Sequence, residues 1–188
     1  FSDLNRYAIR PSKSMGVLYD HRDDYAEITR LVVEEVSYFK TYVEKEKTNI
    51  APKSSRLFTF SSIYSANKNL LNNIDLNQDE MVILCSEFWE YLGKLIQEWN
   101  LVKQNQLKPS EVRVDYIHTQ GVTLQAIAKA GNALITSFPK DWKNKMMHYL
   151  TLPCIYVFGC FNSKTVGVDG NGGKIIVPSL ESALLKSY

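Results

Sequence analysis

The sequence predicts a mainly α-helical domain with a small β-hairpin element near the C-terminus. Apolar residues recur at helical spacing across most of residues 23–150, and beyond Pro153 the pattern changes to short apolar runs separated by glycines. The chain has 188 residues, of which 45% are hydrophobic and 22% charged, so it is long enough to bury a core. We therefore expect one domain over residues 1–188.

The N-terminal third is expected to hold a loop and two helices. Residues 1–22 contain Pro11, Gly16 and scattered serines, which predicts a loop-rich segment. The helical body over residues 23–150 then begins with a helix from Asp23 to about Lys47, because apolar residues recur there at steps of three and four. These residues are Ile28, Val32, Val36, Phe39 and Val43. Residues 49–55 are predicted to form a connector and residues 57–71 a second helix.

The clearest helix start lies at Asn77, because Asn77 and Glu80 have the three-residue spacing of a capping box. The buried stripe that follows consists of Met81, Cys85, Phe88, Leu92, Leu95 and Trp99. A short helix is expected to restart near Pro109, and another spans residues 121–138. Pro139 suits the first turn of the next helix, which should run to about residue 150.

Residues 151–188 predict the β-hairpin and a terminal helix. Residues 155–158 and 175–177 resemble strands, and the glycine-rich residues 169–173 suit a turn between them. The same glycines could cradle a phosphate, but they lack the spacing of a phosphate-binding loop, so a hairpin turn is favoured. Ser179 is expected to cap the terminal helix.

The three cysteines and the lack of a visible secretion signal favour a reducing, cytoplasmic setting. The three cysteines are an odd number without close pairing, and no secretion signal or apolar run near 18 residues is visible. Cys85 is expected in the core. The three histidines do not have zinc-ligand spacing, so neither a metal nor a cofactor is expected, and no membrane association is predicted.

Two further segments permit a functional and a structural interpretation. The acidic residues around His21, in residues 20–24, could bind a metal or activate water in a nuclease, or could cap the following helix. Capping is favoured, because adjacent residues in a turn seldom converge on one point. Residues 121–128 could begin a helix-turn-helix, but the apolar pattern continues past Gly131, which favours a single core helix.

Basic residues supply the candidate nucleic-acid contacts. A net charge of +2 permits a local patch without demanding one. Arginine and lysine residues in loops and near helix starts suit phosphate contacts. The candidate DNA-binding residues are Arg6, Arg10, Lys13, Lys53 and Arg56. A second candidate cluster is Lys140, Lys143 and Lys145. The alternative is an ordinary solvated surface, since the chain has 22 basic residues to place.

Several segments, in order, resemble one family. They are residues 1–6, 14–23, 53–64, 88–90, 113–118 and 121–126, together with Trp99 and Trp142. Over about residues 1–150 the chain resembles the DndB-type proteins of DNA phosphorothioation systems. The Asp-Gly-Gln-His-Arg motif of that family does not occur in these residues. The chain is therefore expected to be a fragment, the C-terminal half of such a protein without its motif half.

The resemblance implies a transcriptional regulator that binds promoter DNA and represses a bacterial phosphorothioation gene cluster. The alternative is a nucleotide-hydrolysing or DNA-nicking protein whose catalytic motif lies in the missing half, so no catalytic residue is assigned here. A homodimer is expected, since two-fold proteins match near-palindromic operators. Its candidate interface residues are Tyr91, Tyr149 and Tyr156. Other DNA sulfur modification proteins are further candidate partners.

Overall fold

In the residues that the structure describes, most of the chain forms α-helices that pack against one another. A computed structural model describes residues 12–20 and 22–151. The elements in chain order are α1 Lys13–Leu18, α2 Asp24–Glu35, β1 Val43–Glu44, β2 Phe58–Thr59, α3 Phe60–Leu70, α4 Gln78–Leu95, α5 Gln97–Lys103, α6 Pro109–Asp115, a 3-10 helix Ile117–Thr119, α7 Gly121–Ser137 and α8 Trp142–Thr151. The predicted mainly α class is confirmed. The predicted hairpin and terminal helix lie outside the described residues.

The predicted loop-rich start contains a short helix, α1. Ser12 caps it, because its hydroxyl accepts the Met15 N–H at 3.1 Å. Gly16 lies inside this helix, where nothing stands within 4 Å of the position of a Cβ. The expectation of a loop was wrong for residues 13–18, because a six-residue helix leaves almost no periodic signal in the sequence.

The first long helix is half as long as predicted. It ends at Glu35 instead of continuing to Lys47, because Val36 takes an extended backbone (φ −71°, ψ 119°). The next residue, Ser37, donates its N–H to the Glu90 carboxylate at 3.0 Å. The chain then continues in turns to β1. The apolar residues of the predicted stripe beyond Glu35 are nevertheless buried, and they are Val36, Phe39 and Val43.

Two short strands between α2 and α3, β1 and β2, pair with each other in parallel. Val43 of β1 pairs with Phe58 of β2, and Glu44 pairs with Thr59. Because Thr59 belongs to a strand and its hydroxyl accepts the Ser62 N–H at 3.3 Å, the second helix begins at Phe60 and not at the predicted residue 57. The loop between the two strands carries much of the basic charge described below.

The capping box at Asn77 is confirmed, since the Asn77 side chain accepts the Glu80 N–H and the Glu80 carboxylate accepts the Asn77 N–H. The helix it starts, α4, ends at Leu95. Ile96 is extended, so Trp99 of the predicted stripe lies on α5. The single helix predicted for residues 121–138 is confirmed as α7. Pro139 lies in the turn before α8 and not in its first turn.

The core is built around α3, α4 and α7, with aromatic rings at its centre. Phe39 packs against Phe58 and Trp89 with centroids 5.4 Å away, and Phe58 packs edge-on against Trp99 at 4.9 Å. Cys85 is buried here as predicted. None of the described helices is both long and apolar enough to cross a membrane.

Candidate nucleic-acid interface

The candidate interface is formed by the loop between β1 and β2 and by the helix α1 docked against it. Ser12, at the start of α1, donates its hydroxyl to the Glu46 carbonyl. The Ser14 hydroxyl is fully buried and lies 3.1 Å from the Lys47 carbonyl oxygen and 3.1 Å from the Ser61 hydroxyl. These contacts fix the exposed Lys13 beside the loop.

The second half of this loop is ordered by one arginine on α6. The Arg113 guanidinium donates to the carbonyl oxygens of Ala51 at 2.9 Å, Pro52 at 2.8 Å and Ser54 at 2.9 Å, and also to that of Arg56. Inside the loop, the Ser54 N–H donates to the Ala51 carbonyl at 2.9 Å and the Arg56 N–H donates to the Ser54 hydroxyl at 3.2 Å. Partial burial lowers the pKa of Arg113. The side chain nevertheless stays charged, because arginine titrates far above neutrality.

Arg56 lies at the other side of the loop, with its guanidinium donating to the Thr41 carbonyl. It lines an open cleft of about 330 Å³ whose other walls are Lys40, Val43, Glu44, Lys45 and Glu46. The Lys45 ammonium lies 2.5 Å from the Glu34 carboxylate, which lowers the pKa of Glu34. Both side chains are about half exposed, and such a pair contributes only about 0–1 kcal/mol.

We call the six basic residues of this region the basic surface. It consists of Lys13, Lys40, Lys45, Lys47, Lys53 and Arg56. Four of them are exposed, whereas Lys45 and Arg56 are half-buried. The neighbouring acidic residues are Glu34, Glu44 and Glu46, so positive charge prevails locally. Of the predicted DNA-binding residues, the structure places Lys13, Lys53 and Arg56 on this loop and its docked helix, while Arg6 and Arg10 lie outside the described residues.

The second predicted lysine cluster is less suited to phosphate contacts. Lys143 forms an ion pair with Glu87 at 2.7 Å and lies 5.3 Å from the Trp142 ring centroid. Lys145 lies over the Phe138 ring at 5.2 Å. Lys140 is exposed in the turn before α8. Two of the three ammonium groups therefore already have partners on the protein.

The acidic turn before α2 has the capping role favoured from the sequence. The Asp23 carboxylate accepts the Tyr25 N–H at 2.9 Å at the start of the helix, and it also accepts the Tyr64 hydroxyl. Burial and this hydrogen bond raise the pKa of Tyr64 to about 12. Among the described residues, no group of three or more His, Cys, Asp and Glu side chains could hold a metal ion. His21 lies outside them.

A buried polar chain that the sequence did not predict joins α5 to the 3-10 helix. The Trp99 indole N–H donates to His118 Nδ1 at 3.0 Å, and His118 Nε2 lies 3.4 Å from a Glu98 carboxylate oxygen. Since Nδ1 accepts a hydrogen bond, the neutral imidazole carries its proton on Nε2, facing Glu98. The imidazole lowers the pKa of Glu98. No spacing in the sequence indicates this pairing.

The tyrosines predicted as interface residues are only partly described. Tyr91 is half-buried and packs edge-on against Trp142, with ring centroids 6.0 Å apart. It therefore contributes to the edge of the core. The side chain of Tyr149 and all of Tyr156 lie outside the described part of the structure.

Comparison with known protein families gives a match. The family model described as DndB, DNA-sulfur modification-associated, matches residues 1–151. No curated protein and no solved structure matches the chain. The matched range covers the basic surface and all of the described helices.

Proposed function

Because the chain belongs to the DndB family of DNA-sulfur modification-associated proteins, we propose that it binds promoter DNA of a bacterial phosphorothioation gene cluster and represses its transcription. Membership in the family implies a part in DNA sulfur modification. The observation that carries the proposal is the basic surface, in which a fixed loop and a docked helix present cationic side chains. Phosphate contacts from such side chains supply essentially all of the non-specific affinity of a protein for duplex DNA and a large share of its specific affinity.

The residues of the basic surface suit different parts of this contact. Lys13, Lys47 and Lys53 are exposed and form no ion pair with another described residue, so their ammonium groups are available as point charges. The Arg56 guanidinium has its Nη1 on the Thr41 carbonyl, which orients the planar group and leaves further N–H donors for a phosphate. The proposal also includes Arg6 and Arg10, which lie outside the described residues, as contacts to DNA.

The proposal also includes a homodimer acting in the cytoplasm, together with other DNA sulfur modification proteins. A two-fold symmetric protein places two basic surfaces on two half-sites of one operator. Light scattering of the purified protein, with and without DNA, tests this part. A monomeric mass in both states would contradict the dimer but not the basic surface, because one monomer can contact phosphates by itself.

DNA binding is tested by fluorescence anisotropy with a duplex taken from the region upstream of the protein's own gene. We expect the affinity to fall steeply with salt, and the double variant Lys47→Glu/Lys53→Glu to bind more weakly. The slope of log K against log salt should become shallower by about 0.9 for each phosphate that the variant no longer neutralises. The matched control is Lys94→Glu/Lys129→Glu, which makes the same charge change at exposed lysines on α4 and α7.

Equal affinities of the wild-type protein and the Lys47→Glu/Lys53→Glu variant would remove the basic surface from the interface. Repression itself is measured by in vitro transcription from the same upstream region. Transcription should fall as the wild-type protein is added and should be restored by the variant. Binding without any fall in transcription would contradict the repressor role alone.

A further inference from the structure

One charged side chain determines the backbone shape of the loop that carries Lys53 and Arg56. Both Nη atoms of the Arg113 guanidinium donate hydrogen bonds to this loop. Their acceptors are four carbonyl oxygens within residues 51–56. A guanidinium has five N–H donors in one plane. At least four of them are used here, so little donor capacity remains for a phosphate.

Arg113 is itself held firmly. It lies on α6, which begins with Pro109 and where the Lys108 N–H donates to the Glu111 carboxylate at 3.4 Å. The preceding residue, Val112, is fully buried in the core. The Gln120 side chain donates to the Arg113 carbonyl at 3.4 Å. The loop is therefore fastened to a helix that is packed into the protein.

The loop has few other means of holding its shape. Residues 49–57 form no helix or strand, and Lys53 and Ser55 are exposed. Within residues 51–56 the other hydrogen bonds are the two involving Ser54, one from its own N–H and one to its hydroxyl. Without the guanidinium, four carbonyls would turn to water, and the backbone that carries Lys53 and Arg56 would keep only these two bonds and the contact of the Arg56 side chain with the Thr41 carbonyl.

We propose that Arg113 is a positioning residue for nucleic-acid binding, which holds the loop so that Lys53 and Arg56 face phosphates together. The inference rests on the proposed DNA binding. Arg113 acts through the backbone of the loop and not through its own charge. A lysine at this position would keep the charge but would present its donors from a single point, so it could not reach four carbonyls in a planar arrangement.

The test uses Arg113→Lys, the double variant Lys53→Gln/Arg56→Gln, and the triple variant that combines them. DNA affinity is measured by anisotropy against salt with the duplex from upstream of the protein's own gene. We expect Arg113→Lys to weaken binding and to reduce the salt slope by about one to two units although the net charge is unchanged. In the double-variant background the same change should alter the affinity less than about twofold, because the two effects share one cause.

Two results would overturn the positioning role. One is wild-type affinity in Arg113→Lys. The other is a triple variant whose loss of DNA affinity equals the product of the losses in Arg113→Lys and in the double variant. This would mean that the residues act independently. Thermal unfolding confirms that each variant is folded. Ser54→Ala is the milder second variant, since it removes only the hydroxyl that accepts the Arg56 N–H, and it should weaken binding in the same direction.

A measurement without DNA separates this inference from the proposed function. Trypsin cleaves after Lys53 and after Arg56, and both bonds lie in the held loop. We expect Arg113→Lys to be cut there several times faster than the wild type, whereas Lys129→Arg on α7 should be cut at the wild-type rate. Equal cleavage rates would overturn the inference. If the wild type binds no DNA, the proposed function fails, while faster cleavage would still confirm that Arg113 holds the loop.

Discussion

Asn67 accepts a hydrogen bond from Trp89 in the centre of the core, with 2.7 Å between the indole nitrogen and the amide oxygen. Both side chains are fully buried. The Asn67 amide nitrogen donates in turn to the Thr29 hydroxyl at 3.1 Å. One buried amide thus connects α2, α3 and α4 and satisfies the single donor of the tryptophan side chain.

Replacing Asn67 with Leu should lower the free energy of unfolding by about 2–4 kcal/mol, because it leaves the Trp89 N–H and the Thr29 hydroxyl without their partner in the core. The exposed Asn72→Ala on the same stretch of chain should change it by less than about 0.5 kcal/mol. Urea unfolding followed by tryptophan fluorescence measures both. A loss as small as that of the control would contradict the role of the buried amide.

Gly131 should not tolerate alanine. A Cβ at this position would collide with the Phe88 ring and would lie 3.1 Å from Leu70 Cδ1. Alanine is favoured over glycine in a helix by about 1 kcal/mol, but overpacking a core costs about 1–3 kcal/mol, so we expect a net loss of stability. Gly16→Ala in α1 is the matched control, since nothing stands within 4 Å of its Cβ and it should leave stability unchanged or raised. Thermal unfolding compares the two, and equal effects would contradict the collision.

The contact between Ser37 and Glu90 should contribute more to the free energy of unfolding than an exposed ion pair does. The carboxylate accepts the Ser37 N–H at 3.0 Å and its hydroxyl at 2.7 Å, where α2 ends. Glu90→Ala should therefore lower the free energy of unfolding by about 1–3 kcal/mol. Glu87→Ala, which removes only the exposed pair with Lys143, should cost less than about 1 kcal/mol. Chemical denaturation measures the difference, and the reverse order would refute it.

The pair of Glu98 and His118 should make stability depend on pH in the acidic range. The pKa of Glu98 is lowered below its ordinary value of 4.5, first by its contact with His118. The unfolded state therefore takes up a proton at higher pH than the folded state. The contribution of Glu98 is complete above pH about 5 and is lost as the pH falls through the folded pKa.

Glu98→Gln tests this by removing the titration. The stability difference between wild type and variant should shrink as the pH is lowered from about 6 to about 3. Tyr116, which stacks on the imidazole with ring centroids 5.3 Å apart, is unchanged in the variant. Glu46→Gln provides an exposed carboxylate as control. A difference that is constant across this pH range would contradict the linkage.

The sequence predicted which residues are buried better than it predicted where helices end. Val36, Phe39 and Val43 are buried as their spacing indicates, yet they lie beyond α2. Spacing reports which side chains face the core. The helix ends at an extended Val36, and the next residue, Ser37, bonds to Glu90, which lies 53 residues away in the chain. The capping box at Asn77 was predictable because all of its atoms lie within four residues.

The sequence likewise predicted some residues of the candidate site and not others. Lys13, Lys53 and Arg56 could be selected from the sequence because basic residues near helix starts suit phosphates whatever the tertiary structure. The contact of Arg113 with the loop could not be predicted, since four carbonyl oxygens have no signature in the sequence. Three of the six residues of the basic surface were therefore predicted from the sequence. The other three, Lys40, Lys45 and Lys47, and the arginine that holds the loop became apparent only in three dimensions.

Because the chain is synthesised from its N-terminus, the loop is made before Arg113, the residue that holds it. The guanidinium follows its four carbonyl partners by 57 to 62 residues. At a translation rate of roughly 5–20 residues per second, the ribosome needs roughly 3–12 s to add that length. During this interval the nascent chain already exposes Lys53 and Arg56 but lacks the group that orders them. A newly made molecule therefore completes this part of its surface only after α6 has left the ribosome.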